Sequence, residues 1–361
     1  MEKVKITAGK LKGFSRLADT EGKFRMLAID QRGSLQKMLA DAIGKDKSAI
    51  GYKEIAMAKR LVTQALSPYF SATLMDPEYG VPESLKYLSR HSALLIATEK
   101  SGTEPFGYKG REKKTVLLED WDVEKIKKLG ADAVKLLLYY RPDSTPEVKE
   151  YQQDIVRFVG EECKKHDILF VLEPMSFAFM DDEPSSDSPQ FARKKPEIVI
   201  STAREFSKEE YDVDILKLEF PVNLKFVQEF HKGTFDEKER EEVYSIKDAE
   251  SACREITKVS RVPWVILSAG VDIEEFVYNV EIASNNGASG FLAGRAVWKE
   301  FTKHFPIEED MLAWLLTSGV ENYRQIYEAS KKATPYYEHN FFKNFPNIEV
   351  ADRGENWYRE Y

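Results

Sequence analysis

Three charged residues sit where apolar runs of this chain would otherwise be unbroken. Lys135 lies in A-D-A-V-K-L-L-L-Y-Y (131–140), Glu173 in I-L-F-V-L-E-P (168–174) and Lys217 in V-D-I-L-K-L-E-F-P (213–221). Each run has the length and apolar density of a buried strand. A lysine in such a place is expensive, because its charged form loses hydration, so it is kept as half of an ion pair or for chemistry. For Lys217 the ion-pair reading names Glu219, since strand alternation puts Ile215, Lys217 and Glu219 on one face with the charges about 7 Å apart. The other reading is amine catalysis. A partly desolvated lysine near a second cation loses its proton more easily, and the neutral amine attacks a carbonyl carbon. The frame D-x-x-K-L recurs at 132–136 and 214–218, so Lys135 supplies a second cation, with Glu173 between the two in sequence. A carboxylate there can move protons in carbinolamine formation and carbon–carbon cleavage. Spacing leaves open which lysine is the nucleophile.

These residues need strands to carry them. Short apolar runs at Met26–Asp30, Ala72–Pro77, Ala93–Thr98, Ala131–Tyr140, Ile168–Phe177, Val213–Pro221, Trp264–Val271 and Ser289–Gly294 make eight. Helical patterns lie between them, among them Gly51–Ser67, Pro146–Lys165 (with Ile155, Phe158, Val159 and Cys163 at helical spacing) and Ile273–Asn286, which Asp272 caps and Gly287 ends. Such alternation predicts an all-parallel α/β protein. The count, and the ~250 residues the runs span, favour a closed (β/α)8 barrel over an open sheet. No G-x-G-x-x-G follows the first run and no G-x-x-x-x-G-K-[ST] occurs, which also argues against the open sheet. In a barrel, lysines on alternate strands can share one interior layer. Polar residues gather at the C-terminal ends of the runs, where barrel enzymes place their sites: Asp30, Asp76, Glu173, Lys217, Ser268 and Arg295. We expect one barrel domain over 1–330 and an aromatic-rich extension over 331–361, packed on the barrel or on a second subunit. A homodimer would account for that tail.

Leu267-Ser268-Ala269-Gly270 and Leu292-Ala293-Gly294-Arg295 end the last two runs. Small residues there expose backbone N–H groups and Arg295 adds a fork of donors, a handle for a phosphate. The formal net charge of −8, with acids and bases intermixed over 361 residues, argues against nucleic-acid and membrane partners. The five histidines, His91, His166, His231, His304 and His339, are scattered, so neither a metal nor another cofactor is expected. Cys163 and Cys253 form no disulfide framework, and no apolar run reaches the ~18–20 residues of a membrane span, which points to the cytoplasm.

Four separated stretches carry a resemblance: F-R-M-L-A-I-D-Q-R-G (24–33), L-E-D-W…G-A-D-A-V-K-L-L-L-Y-Y within 118–140, D-I-L-K-L-E-F-P-V-N (214–223) and L-S-A-G-V…A-G-R-A-V-W within 267–298. In order and over most of residues 20–300 they resemble the class I tagatose-1,6-bisphosphate aldolase family. The resemblance implies a (β/α)8 barrel that cleaves a ketose 1,6-bisphosphate to dihydroxyacetone phosphate and an aldehyde phosphate through a lysine Schiff base. By matching motif it makes Lys217 the Schiff-base lysine, Glu173 the acid/base and Lys135 its supporting lysine. Asp30 and Gln31 match positions contacting substrate hydroxyls. Ser268, Gly270, Gly294 and Arg295 match the holders of the dihydroxyacetone-side phosphate, and Arg32 fits the distal one. The chain departs from the family at Pro174-Met175-Ser176, at the acidic loop Asp181–Ser188 and at the basic run Arg193-Lys194-Lys195. That loop is either solvated or a lid whose basic end meets the distal anion. Three rivals stand beside this expectation: an aldolase for a sulfonated ketose phosphate such as sulfofructose 1-phosphate, a non-catalytic sugar-phosphate-binding barrel, and a metal-dependent aldolase or hydrolase.

Overall fold

In a computed structural model, which describes residues 3–351, 354 and 356–359, the eight apolar runs become eight parallel strands. They are β1 (Phe24–Ala28), β2 (Ala72–Met75), β3 (Ala93–Ala97), β4 (Ala133–Tyr139), β5 (Leu169–Met175), β6 (Ile215–Leu218), β7 (Trp264–Leu267) and β8 (Gly290–Ala293). Each pairs with the next, and β8 returns to pair with β1, closing the barrel. The (β/α)8 expectation holds.

Alternation sorts the strand residues into two layers. Outward side chains such as Val134, Leu136, Phe170, Leu172, Leu216 and Trp264 join one apolar layer with the surrounding helices. Inward ones, including Ala133, Leu169, Val171, Ile215 and Val265, form a second. Lys135, Glu173 and Lys217 fall on the inward parity of β4, β5 and β6. In the ladder Lys135 lies opposite Val171, and Val171 opposite Ile215. Lys135 is therefore rooted two residues deeper than Glu173 and Lys217, and its long side chain must rise to their level.

The opposite end of the barrel is plugged. Tyr336 stacks on Phe14 (ring centroids 5.3 Å apart) and on Phe24 (5.7 Å), and Phe342 meets Phe14 edge-on at 5.2 Å. Strand Val4–Ile6 pairs in parallel with Ile348–Val350, which ties the tail to the start of the chain.

Several local expectations are corrected. Arg193-Lys194-Lys195 belongs to a helix, Pro189–Phe206, although Pro196 within it removes a helical donor. Burial of Phe191, Val199, Ala203 and Phe206 outweighs that loss. The loop 181–188 is largely exposed, as the solvated reading expects, none of its residues lines the barrel mouth, and it is anchored at Glu183 and Asp187. Glu183 in it is fully buried, pairs with Arg141, accepts from Lys194 Nζ at 2.7 Å and from the Phe179 N–H at 2.9 Å. Asp187 is held by Arg240 at 2.7 Å, and Arg193 pairs with Glu241. Phe158, placed with the apolar stripe of its helix, is instead 55% exposed, while Val159 and Cys163 are buried. Asp272 makes no side-chain cap and pairs with Lys299.

Candidate active site

At the C-terminal ends of the strands the barrel opens into a cavity of about 430 Å³, lined by Asp30, Gln31, Arg32, Glu173, Lys217, Ser268, Gly294 and Arg295 among others. Lys217 Nζ lies 2.8 Å from Glu173 Oε1, and Lys135 Nζ lies 2.8 Å from Glu173 Oε2. One carboxylate thus bridges two ammonium groups. Lys135 is wholly buried and holds two more acids, Asp30 at 2.7 Å and Glu99 at 2.9 Å. Lys217 is only 3% exposed, yet it lines the cavity.

The Lys217–Glu219 pair suggested by alternation does not form. β6 ends at Leu218, and Glu219 turns to accept hydrogen bonds from the Ser176 N–H and hydroxyl, both at 2.6 Å. Asp76, singled out by its place after β2, is also outside the cavity; it is buried against Lys59.

The two lysines differ in surroundings. Burial alone would push the Lys135 ammonium toward its neutral form, but Asp30, Glu173 and Glu99 outweigh that and hold its pKa well above the ordinary lysine value. Three acids thus hold Lys135 in its charged form, whereas Lys217 meets one. Burial likewise opposes the Asp30 charge, yet Lys135 and Lys217 reverse the effect and keep its carboxyl well below the usual carboxylate range. The signs fix a stability window. The raised Lys135 pKa stabilises the fold below the ordinary lysine range and that gain is lost as pH rises through the folded value. The lowered Asp30 pKa stabilises above the ordinary carboxylate range and is lost as pH falls. Both contributions are fully present between about pH 4 and 10. Replacing Lys135 with Met leaves buried Asp30 without an ion-pair partner, and leaves Glu173 with Lys217 and Glu99 with Arg32 alone. We expect a loss of about 3–5 kcal/mol, read as a fall in denaturation midpoint at pH 7 that shrinks on acidification as the acids protonate.

Glu99 was not found from sequence. It lies two residues past the end of β3, and besides Lys135 it accepts from the Leu137 N–H at 3.0 Å. The available signal was its position, an acid at the C-terminal end of a strand, the rule that also marks Asp30. Arg32 donates to Glu78 at 2.6 Å and to the Glu99 carbonyl at 2.7 Å. Its charge is thus largely committed to protein. Lys47 and Lys100 line the same end of the cavity and have no carboxylate partner among the described residues.

The opposite rim is built from the turns after β7 and β8. Ala269 (φ 47°) and Gly270 (φ 83°) are both left-handed, and a Cβ on Gly270 would stand 2.9 Å from the Arg295 guanidinium carbon. Only glycine lets Arg295 lie over that turn. A Cβ on Gly294 would meet Gln31 Nε2 at 2.9 Å. Gln31 Oε1 is buried without a protein hydrogen-bond partner, and Ser268 Oγ accepts the Gly294 N–H at a long 3.4 Å. Among the described residues no three His, Cys, Asp or Glu side chains gather where they could hold a metal ion. None of the described helices is long and apolar enough to cross a membrane.

A closed barrel with a lysine–carboxylate–lysine cluster facing a cavity at its C-terminal mouth has the form of a carbon–carbon lyase. The chain belongs to the DeoC/LacD family of aldolases, whose model matches residues 24–300. It is 36% identical over 359 residues to tagatose 1,6-diphosphate aldolase of Listeria monocytogenes, covering 97% of this chain and 99% of the relative. To tagatose 1,6-diphosphate aldolase 2 of Enterococcus faecalis it is 38% identical, over 90% of this chain and 94% of the relative. Among solved structures, fructose-bisphosphate aldolase from Plasmodium falciparum shares the fold at a TM-score of 0.65 and 15% identity, over 92% of this chain and 98% of that one. The protein is an aldehyde-lyase.

Proposed function

We propose that the enzyme cleaves tagatose 1,6-bisphosphate to dihydroxyacetone phosphate and glyceraldehyde 3-phosphate through a Schiff base on Lys217. One observation carries the reading. Lys217 is the lysine that both faces the cavity and touches Glu173, while Lys135 is sealed among acids. Glu173 takes a proton from the Lys217 ammonium and the freed amine adds to the C2 carbonyl; that proton, returned by Glu173, lets the carbinolamine hydroxyl leave as water and forms the iminium. Glu173 then takes the C4 hydroxyl proton, the C3–C4 bond breaks into the iminium, and the aldehyde departs. Glu173 passes the proton it took from the C4 hydroxyl to C3 of the enamine, and hydrolysis of the resulting iminium releases dihydroxyacetone phosphate and restores the amine. Lys135 holds Glu173 and Asp30 in place and balances their charge. Asp30 and the unpartnered Oε1 of Gln31 take substrate hydroxyls.

Ser268, Gly270, Gly294 and Arg295 hold the phosphate on C1. Gly270→Ala should displace Arg295 and remove a charge-assisted contact of roughly 1.5–3 kcal/mol. Steady-state kinetics should show KM rising about tenfold to a hundredfold with kcat less affected. Lys47 and Lys100 supply the distal positive charge, with Arg32 adding only what Glu78 and Glu99 leave free. Two of these are lysines, point charges that accept phosphate or sulfonate alike. A cleavage screen over ketose bisphosphates should therefore include sulfofructose 1-phosphate.

Sodium borohydride added with the ketose bisphosphate tests the central step. Irreversible inactivation and a mass adduct on Lys217, indifferent to chelator, are expected. A barrel that neither turns over nor is trapped would be a sugar-phosphate sensor, and loss of activity to chelator would mean metal chemistry.

We divide the chain into a barrel, 1–330, and an appendage, 331–361, whose Tyr336 and Phe342 pack on Phe14. Exposed Phe345 and Tyr358 on it suit a contact between two copies, which light scattering would read as a doubled mass. The two free, buried thiols, Cys163 and Cys253, suit a cytoplasmic setting.

A further inference from the structure

Lys59 lies in the helix Tyr52–Leu66, outside the cavity, and is 1% exposed. Its ammonium pairs with Asp76, itself wholly buried after β2, and donates to the Ile29 carbonyl at 2.5 Å. Asp76 uses its other oxygen to accept the N–H groups of Tyr79 (2.7 Å) and Gly80 (3.4 Å). The Ile29 carbonyl belongs to the peptide unit that leads into Asp30. The Ile29 N–H, on the other side, donates to the Leu74 carbonyl of β2 at 2.9 Å. That link from β1 to the site is thus held from two directions, and Asp30 leaves it to meet Lys135 at 2.7 Å.

Stability does not explain the pair. Removing two charges from water costs about as much as their attraction returns, and well-packed apolar residues of the same volume serve a fold equally well or better. What apolar residues cannot do is fix a carbonyl oxygen in direction. We infer that Lys59 is a positioning residue for the aldol reaction, acting through the Ile29–Asp30 peptide to aim the Asp30 carboxylate at the substrate hydroxyls. Asp76 completes the device by holding Lys59. This rests on the Schiff-base reading of the site and extends it to a residue that touches neither substrate nor Lys217.

The test is a mutant cycle between this pair and Asp30. Lys59→Met/Asp76→Asn removes both charges together, so neither is stranded. Lys59→Leu/Asp76→Asn, which likewise has no donor for the Ile29 carbonyl, is made alongside it should the first fail to fold. Each is measured in the wild-type and Asp30→Asn backgrounds, with folding checked by circular dichroism. In the wild-type background kcat should fall about tenfold to a hundredfold, the loss expected from misplacing a catalytic group. KM should stay within about twofold, and borohydride trapping on Lys217 should persist. In the Asp30→Asn background the same replacement should cost less than about twofold, because the group it aims is already gone. A general weakening of the scaffold would lower kcat equally in both backgrounds, and that result overturns the inference, as would wild-type kcat in the paired variant. Failure to trap Lys217 in the wild-type enzyme would instead defeat the Schiff-base reading itself.

Discussion

Lys217→Ala should abolish the borohydride-trappable adduct and lower kcat/KM by about 10⁴-fold or more, the scale on which nucleophile deletions act. The fold should survive. Glu173 keeps Lys135 at 2.8 Å after Lys217 is removed, so no buried carboxylate is left without a cation. This separates the two lysines experimentally: Lys135→Met costs stability, Lys217→Ala costs chemistry. A Lys217→Ala protein that unfolds at pH 7 while losing activity in proportion would make Lys217 a structural ion-pair partner and remove it from the mechanism.

Glu173→Gln is expected to lower kcat by about 10²–10⁴-fold, the usual worth of a general acid/base. The amide retains the size of the carboxylate and one acceptor, so Lys217 should still condense with substrate and still be trapped, though more slowly. Single-turnover measurements should show adduct formation outpacing aldehyde release, the reverse of an effect on substrate binding. Near-wild-type turnover in Glu173→Gln would assign the proton transfers to another group, with Asp30, also within reach of Lys135, the first to examine.

Where the sequence spoke clearly, it did so through anomaly. Eight apolar runs were easy to find because a barrel strand is buried on both faces and has nothing polar to blur it. Lys135, Glu173 and Lys217 stood out because they broke those runs. Glu99 did not stand out, since it comes after its run has ended and reads like any surface acid; only the pairing of β3 with β4, which sets Ala97 opposite Lys135, brings it there. Lys59 was hidden differently. It shares a helical stripe with the buried Ile55, Val62 and Leu66, so periodicity held the clue, but a lysine beside a stripe is normally bent out to water. The Lys217–Glu219 misreading has the opposite origin: alternation was extended one residue past the last paired position of β6, where it no longer governs direction.

The parallel pairing of Val4–Ile6 with Ile348–Val350 joins segments about 340 residues apart in sequence. At roughly 5–20 residues per second, translation separates the two by tens of seconds. Throughout that interval the leading strand emerges from the ribosome with its ladder partner still unmade. Among the described residues this two-stranded element has the greatest sequence separation of any β pairing. Its hydrogen bonds are a seal that cannot be set until residue 350 is made, and a chain released before that point leaves Val4–Ile6 unpaired.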